Sequence, residues 1–189
     1  MEITQELLKE YVTYEPITGV FTKRKKKHPR DNTVKVGEQL GHLSGDGYIH
    51  FSFFGKKRKA HRLAWLYVYG ELPNSLIDHI DGDKTNNKIN NLRLASFEQN
   101  AANRHVVKSK TGYRGVYESK YKGDVVGYIA QYNKKHLGFF KEAKEAAKAV
   151  DDYMFEKLGD FVKPNIGGYL DDWFKHRVPQ NGRRIWDFR

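Results

Sequence analysis

Between positions 77 and 94 the chain reads IDHIDGDKTNNKINNLRL: an Asp-His pair, two more aspartates and two asparagine doublets. These residue types suit one kind of chemistry. Asp78 offers a carboxylate oxygen, and Asn100, a little further on, an amide oxygen. Together they suit a hard divalent ion that keeps water and takes a further ligand from a phosphate. His79 offers an imidazole that is neutral near physiological pH, as a general base acting on water must be. Asn91 is placed to orient that histidine or to lock the loop around it. Two other readings compete. In a calcium loop Asp81, Asp83 and Thr85 would alternate as ligands, but Asn86 and Leu92 stand where such a loop needs glycine and glutamate, so it is rejected. A decorated turn without metal stays open on spacing alone, because Asp, Asn and Gly crowd turns. Strand neighbours also point to opposite faces, so Asp78 and His79 share a site only where the strand ends or bulges.

The elements that would position these groups are readable on either side. Residues 76–79 and 92–94 read as two short strands, with a polar loop over 81–91. Ser96 and Gln99 form a capping box that starts a helix running to about residue 104, with Asn100 near its start. Upstream, HRLAWLYVYG reads as a helix ended by Gly70, and His61, at its opening, as a packed or capping residue. Residues 1–60 form a β-rich basic module with a short helix at LLKEYV and a hairpin at GYIHFSFFGKKRK. Its basic runs, 23–30 and 56–62, flank that hairpin. Lys25, Lys26, Lys57 and Arg58 are its candidate DNA contacts.

Asp78-His79, then Asn91 and Asn100, with NNLR before a helix, resemble the motif of the HNH nucleases. YEPITGVF, GYIHF and AHRLAW extend the likeness over residues 10–105. The resemblance implies a ββα-metal fold, a hairpin and a helix around one metal. Asparagine at Asn100, in place of the final histidine, matches the phage and intron homing branch. It implies His79 as the base, Asp78 and Asn100 as metal ligands, and Asn91 as the residue holding His79 or its loop. Mg²⁺ is the expected ion, with Mn²⁺ an alternative, and the expected products carry 5′-phosphate and 3′-hydroxyl ends. Arg93 reads as a surface strand residue or a phosphate contact.

Residues 106–111 read as a linker. Beyond it, three aromatic-rich strands, near 113–118, 125–133 and 135–140, precede an alanine-rich helix. Ala143, Ala146, Ala147, Val150, Met154 and Leu158 line its apolar face. YRGV, YIAQY, LGFF, EAAKAVD and Asn165 resemble the ethylene-response-factor type of DNA-binding domain over residues 112–166. That likeness implies a sheet lying in the DNA major groove, with Arg114, Tyr117, Gln131, Asn133 and His136 at the contact positions. Gln131 and Asn133 read as sharing one strand face, where amides can read adenine edges. Lys120, Lys122, Lys134 and Lys135 are phosphate contacts or plain surface. No role is assigned to residues 167–189.

The composition agrees. With 34 Lys and Arg against 23 Asp and Glu, the net charge is +11, which suits a polyanion partner. Zero cysteines exclude disulfides and thiolate zinc sites. No apolar run is long enough for a bilayer, and the acidic start MEITQELLKEY is unlike a secretion signal. The chain is expected to stay in the cytoplasm where it is made (a bacterial host's, if phage-encoded). The sequence thus reads as an α+β protein: a ββα-metal nuclease module at 61–105, then a small three-stranded antiparallel sheet packed on one helix. The expected activity is metal-dependent cleavage of double-stranded DNA, by a monomer or a DNA-dependent dimer. The rival is a DNA-binding protein that keeps the scaffold without cutting; a structure-specific or RNA nuclease is a further alternative.

Overall fold

The computed structural model describes residues 3–28, 30–31, 34–104 and 109–167. The chain divides into two compact units, Met1–Asn103 and Arg104–Arg189.

The first unit opens with helix α1, Gln5–Tyr11, started by Thr4, whose hydroxyl accepts from the Leu7 amide at 3.2 Å. Strands β1 (Val12–Glu15), β2 (Val20–Lys23) and β3 (Gln39–Leu40) pair antiparallel in that order. Strands β4 (His42–Leu43), β5 (Ile49–Phe53) and β6 (Lys56–Lys59) form a second sheet. Helix α2, Ala60–Tyr69, follows directly and ends on Gly70 at φ 86°, as its glycine implies. The hairpin of β7 (Leu76–His79) and β8 (Leu92–Ala95) leads into α3, Phe97–Ala102, where the Ser96/Gln99 capping box is formed.

One core joins α1, β1, β2, β5, α2 and the β7–β8 hairpin. Leu8, Tyr14, Phe21, Phe51 and Phe53 from the N-terminal part pack with Leu63 and Leu66 of α2 and with Ile77 and Leu92 of the hairpin. Each large side chain removed from water contributes about 1.5–3 kcal/mol. No separate module therefore closes at residue 60. The reason is that the N-terminal strands each bury only one face and need α2 to cover it. Alternation along β2 also turns Lys23 inward beside Phe21. It is 5% exposed, pairs with Asp31 at 3.0 Å and donates to the Val34 carbonyl at 2.7 Å. The first lysine of the basic run is thus a core residue whose charge is partnered.

In the second unit, β9 (Val116–Tyr121), β10 (Asp124–Tyr132) and β11 (Lys135–Phe140) form an antiparallel sheet in the order β11-β10-β9. Helix α4, Ala143–Leu158, covers one face with Ala146, Ala147, Val150, Met154 and Phe155. The turns fall at Lys122-Gly123 and Asn133-Lys134, all at positive φ. The first strand starts later than the sequence suggests, because Gly115, at φ +75°, still belongs to the turn before it; a Cβ there would lie 2.6 Å from the Gln131 carbonyl oxygen. Asp151, fully buried on α4, accepts from the backbone amides of Asn165 (2.8 Å) and Ile166 (3.2 Å). Burial holds its carboxyl above the usual carboxylate range. Ser109 and Thr111, placed by sequence in a linker, donate to the Val116 carbonyl at 3.1 Å each and so belong to this unit. The C-terminal tail lies outside the described residues from 168 onward, as do linker residues 106–108. Among the described residues no helix is long and apolar enough to cross a membrane.

Candidate active site

The β7–β8 hairpin presents the Asp-His pair at its looped end. Asp78 lies opposite Arg93 and His79 opposite Leu92. β7 ends at His79, and the two side chains meet different partners, as alternate strand positions require. Asp78 is 5% exposed. Its Oδ2 accepts from Arg93 Nε at 3.1 Å, and both carboxylate oxygens accept from Asn103 Nδ2, at 3.0 and 3.2 Å. The same Asn103 amide donates to the His79 carbonyl at 2.7 Å. Arg93 is therefore neither a surface residue nor exposed to a phosphate: its strand position faces Asp78, and it is buried there.

His79 lies on the other side, 4% exposed, against the rings of His61 (centroids 5.1 Å apart) and Tyr48 (5.9 Å). Its Nε2 is 3.3 Å from Asn87 Oδ1. Burial lowers its pKa, against the opposing pull of Asn87, Asp81, Asp78 and Asp83, so the ring is neutral at physiological pH, as a base requires. His61, 5% exposed, is a packed residue, as its place in α2 implies; burial pushes its pKa down to about 3.

The loop between the strands is closed by Asn91. Its Oδ1 accepts from the Asp81 amide at 3.1 Å, and its Nδ2 donates to Asp81 Oδ1 and the Asn86 carbonyl at 2.9 Å each. Of the two roles open to Asn91, the observed contacts are those of a loop lock, and Asn87 is the residue beside the histidine. Lys84 Nζ donates to the Asp46 carbonyl at 3.0 Å, fastening the loop to the β4–β5 turn. Asn100 stands on α3, half-buried, and among the described residues its side chain makes no hydrogen bond; Asn103, one turn on, holds Asp78.

Residues 58–102 match a family model described as an HNH endonuclease. An uncharacterised HNH endonuclease of Acanthamoeba polyphaga mimivirus is 35% identical over 132 residues, covering 69% of this chain and 68% of that protein. The chain belongs to the HNH endonuclease family. Protein 3.8 of Escherichia phage T7 is 35% identical over 85 residues, 44% of this chain and 70% of that one. A solved structure of the HNH homing endonuclease I-HmuI, concerned with its DNA binding and cleavage, is similar over 49% of this chain and 51% of its own, at 27% identity and a TM-score of 0.37. The alignment thus spans about half the length of that protein.

HNH endonucleases are nucleases that act on DNA. Their family implies a divalent metal, and the donor set here can be tested against one. Among the described residues no group of three or more His, Asp or Glu is placed to hold an ion. Asp78 Oδ1 accepts one hydrogen bond and keeps room for another partner. A single carboxylate with acceptor capacity left fits a hard ion completed largely by water and phosphate, and does not fit a fully protein-ligated one.

The expected DNA-contact residues of this HNH endonuclease fall in varied settings. Lys25 donates to Glu10 at 2.6 Å, Lys57 to Ser44 at 2.9 Å, Lys26 is exposed and Arg58 half-buried in β6. In the second unit Tyr117 is 54% exposed and lies in one cross-strand row with Ile129 and Phe139 on the sheet face away from α4. Gln131 pairs with the exposed His136. Gln131 and Asn133 do not share a strand face: β10 ends at Tyr132, and Asn133 sits in the turn at φ 45°. The Arg114 guanidinium donates to the backbone carbonyls of Lys163 and Arg104, so a structural role replaces the expected base or phosphate contact.

Proposed function

We propose that this chain is a metal-dependent DNA endonuclease of the homing type that nicks one strand. The observation that carries the reading is the hairpin end, where a buried His79 follows a carboxylate, Asp78, that is held in place yet has acceptor capacity left. His79 takes the proton from the attacking water. Asp78 and Asn100 would hold the divalent ion, most simply Mg²⁺, with Mn²⁺ an alternative. When bound, that ion supplies charge to the scissile phosphate and the leaving oxygen. Arg93 and Asn103 keep the Asp78 carboxylate in one orientation, so little reorganisation accompanies the reaction. Asn91 keeps the loop closed around His79.

The charge of +11 supports binding to the DNA backbone. Targeting is assigned to the open face of the second unit's sheet, where Tyr117, Gln131, His136 and, at its edge, Asn133 are grouped. Among the described residues each chain carries one Asp78–His79 site, so a monomer cuts one strand. A double-strand break then needs a dimer on DNA or two successive events.

Cleavage of supercoiled plasmid and native phage DNA, with Mg²⁺ and with EDTA, tests the assignment beside His79→Ala. The expected result is metal-dependent nicked product that the variant does not form. Tight, salt-sensitive binding with no cleavage in any divalent metal would replace the reading with a non-cutting DNA-binding protein. Linear product at low enzyme without a nicked precursor would refute the nicking mode.

A further inference from the structure

We propose that Asn87 is a positioning residue for the HNH reaction: it holds His79 with its proton on Nε2 and its lone pair on Nδ1, and Tyr14 of β1 fixes Asn87 for that task. This inference rests on the reading of His79 as the base.

The argument begins with the amide of Asn87, which is 3% exposed. Its Nδ2 donates to the Thr85 carbonyl at 3.1 Å. A flipped amide would set two oxygens against each other there, so the bond fixes which end of the side chain is which. The end that faces His79 Nε2, at 3.3 Å, is Oδ1, which can only accept. A hydrogen bond then forms only when Nε2 carries the proton, which leaves Nδ1 as the accepting nitrogen. The bond is long, and ring packing supplies the rest of the restraint. His61 meets the His79 ring edge to face, at 82°, and Tyr48 lies on the same cluster at 5.0 Å from His61.

Asn87 is itself fastened by elements far away in the chain. The Tyr14 hydroxyl donates to the Asn87 carbonyl at 2.6 Å. Tyr14 is 3% exposed and its burial raises its pKa, so the phenol remains a donor at any working pH. The β1–β2 turn presses on the same backbone: Gly19, at φ +76°, has no room for a Cβ, which would lie 2.5 Å from Lys88 N and 2.6 Å from Asn87 C. Ile89 N donates to the Pro16 carbonyl at 3.1 Å, and from the other side Asn91 grips the Asn86 carbonyl. The N-terminal strands are thus a brace for the catalytic loop, a role that their basic charge alone does not suggest.

The test uses the full chain with ¹⁵N-labelled histidine, free of metal and DNA. Long-range ¹H–¹⁵N correlation is recorded well above the ordinary histidine pKa of about 6.5. His79 is expected in the Nε2–H form. Asn87→Ala should lose that preference and cut about tenfold to a hundredfold more slowly at saturating Mg²⁺ and DNA. Its half-saturating Mg²⁺ concentration should stay within about twofold, since no metal ligand is touched. Tyr14→Phe, which keeps the buried ring, should give a smaller loss of the same kind. His79 in the Nδ1–H form in the unaltered chain overturns the proposal, whether or not the variants fold. So does an Asn87→Ala protein with unchanged tautomer and rate. An unaltered chain that shows the Nε2–H form but never cuts would instead defeat the nuclease mechanism and leave the geometry standing.

Discussion

Asn100, on α3, and Asn103, its C-terminal cap, sit one turn apart, and truncating each should have opposite consequences. Asn103 is 8% exposed and its single amide serves three acceptors: both oxygens of Asp78, at 3.0 and 3.2 Å, and the His79 carbonyl at 2.7 Å. A hydrogen bond to a charged group contributes about 1.5–3 kcal/mol, and one to a neutral carbonyl about 0.5–1.5 kcal/mol. The bonds share one donor group and do not add fully, so Asn103→Ala should cost about 2–4 kcal/mol. For a unit of this size that lowers the melting temperature by about 10–30 °C. Asn100→Ala removes a half-buried side chain with no hydrogen bond among the described residues, and alanine suits a helix. Its stability should stay within about 0.5 kcal/mol of the unaltered chain, while cleavage disappears if its oxygen holds the metal. Urea unfolding in EDTA and plasmid nicking in Mg²⁺ read the two effects separately. An Asn103→Ala protein as stable as the original would refute the buried clamp. An Asn100→Ala protein as unstable as Asn103→Ala would refute the division between holding Asp78 and holding the ion.

Arg93→Met should cost about 3–5 kcal/mol, because it strands the Asp78 carboxylate in a buried site; adding Asp78→Asn should recover part of the loss, and equal instability of single and double variants would contradict the pairing. His61 predicts a pH dependence. Its folded pKa, about 3, lies below its ordinary value of 6.5, so the unfolded chain binds the proton more readily. Stability from this group is complete above about pH 6.5 and declines as pH falls toward 3, by at most about 1.4 kcal/mol per pH unit. Unfolding midpoints measured down that range should flatten in His61→Phe. Gly115→Ala should destabilise the second unit by about 1–3 kcal/mol, since its left-handed backbone meets the fixed Gln131 carbonyl; an unchanged midpoint in chemical unfolding would show that the turn relaxes freely.

Local signals carried much of the first unit. The Ser96/Gln99 box, the Gly70 stop and the two short strands around Asp78 and Leu92 are all written in neighbouring residues, and each is formed. What sequence could not supply was the direction of the asparagines. Asn86, Asn87, Asn90 and Asn91 are chemically alike and nearly adjacent; the phase of the loop, set by the 3-10 turn Ile89–Asn91, decides that Asn87 meets the histidine and Asn91 the aspartate. Arg93 carries its own local signal: it faces Asp78 across a two-stranded ladder, so a strand pairing drawn on the sequence joins them. Lys23 was legible in the same way, two residues after Phe21 on one strand. The shared core across residue 60 was not, because Phe21, Phe51 and Leu63 meet only when distant segments fold together.

The fastenings of the catalytic loop also impose an order on its assembly. Tyr14 and Asn87 are 73 residues apart in sequence, Lys84 and Asp46 are 38 apart, and Asn103 and Asp78 are 25 apart. Such long closures must be made before their contacts give anything back. The hairpin and its capped helix form from near neighbours, whereas the loop that orients the histidine waits for a strand synthesised long before it. A chain can therefore hold its full complement of helix and strand while its catalytic loop is still unset. For this protein, spectroscopic recovery of secondary structure and recovery of cleavage should be separate events in refolding, and the N-terminal strands, made before the loop they brace, are among the last to take up their purpose.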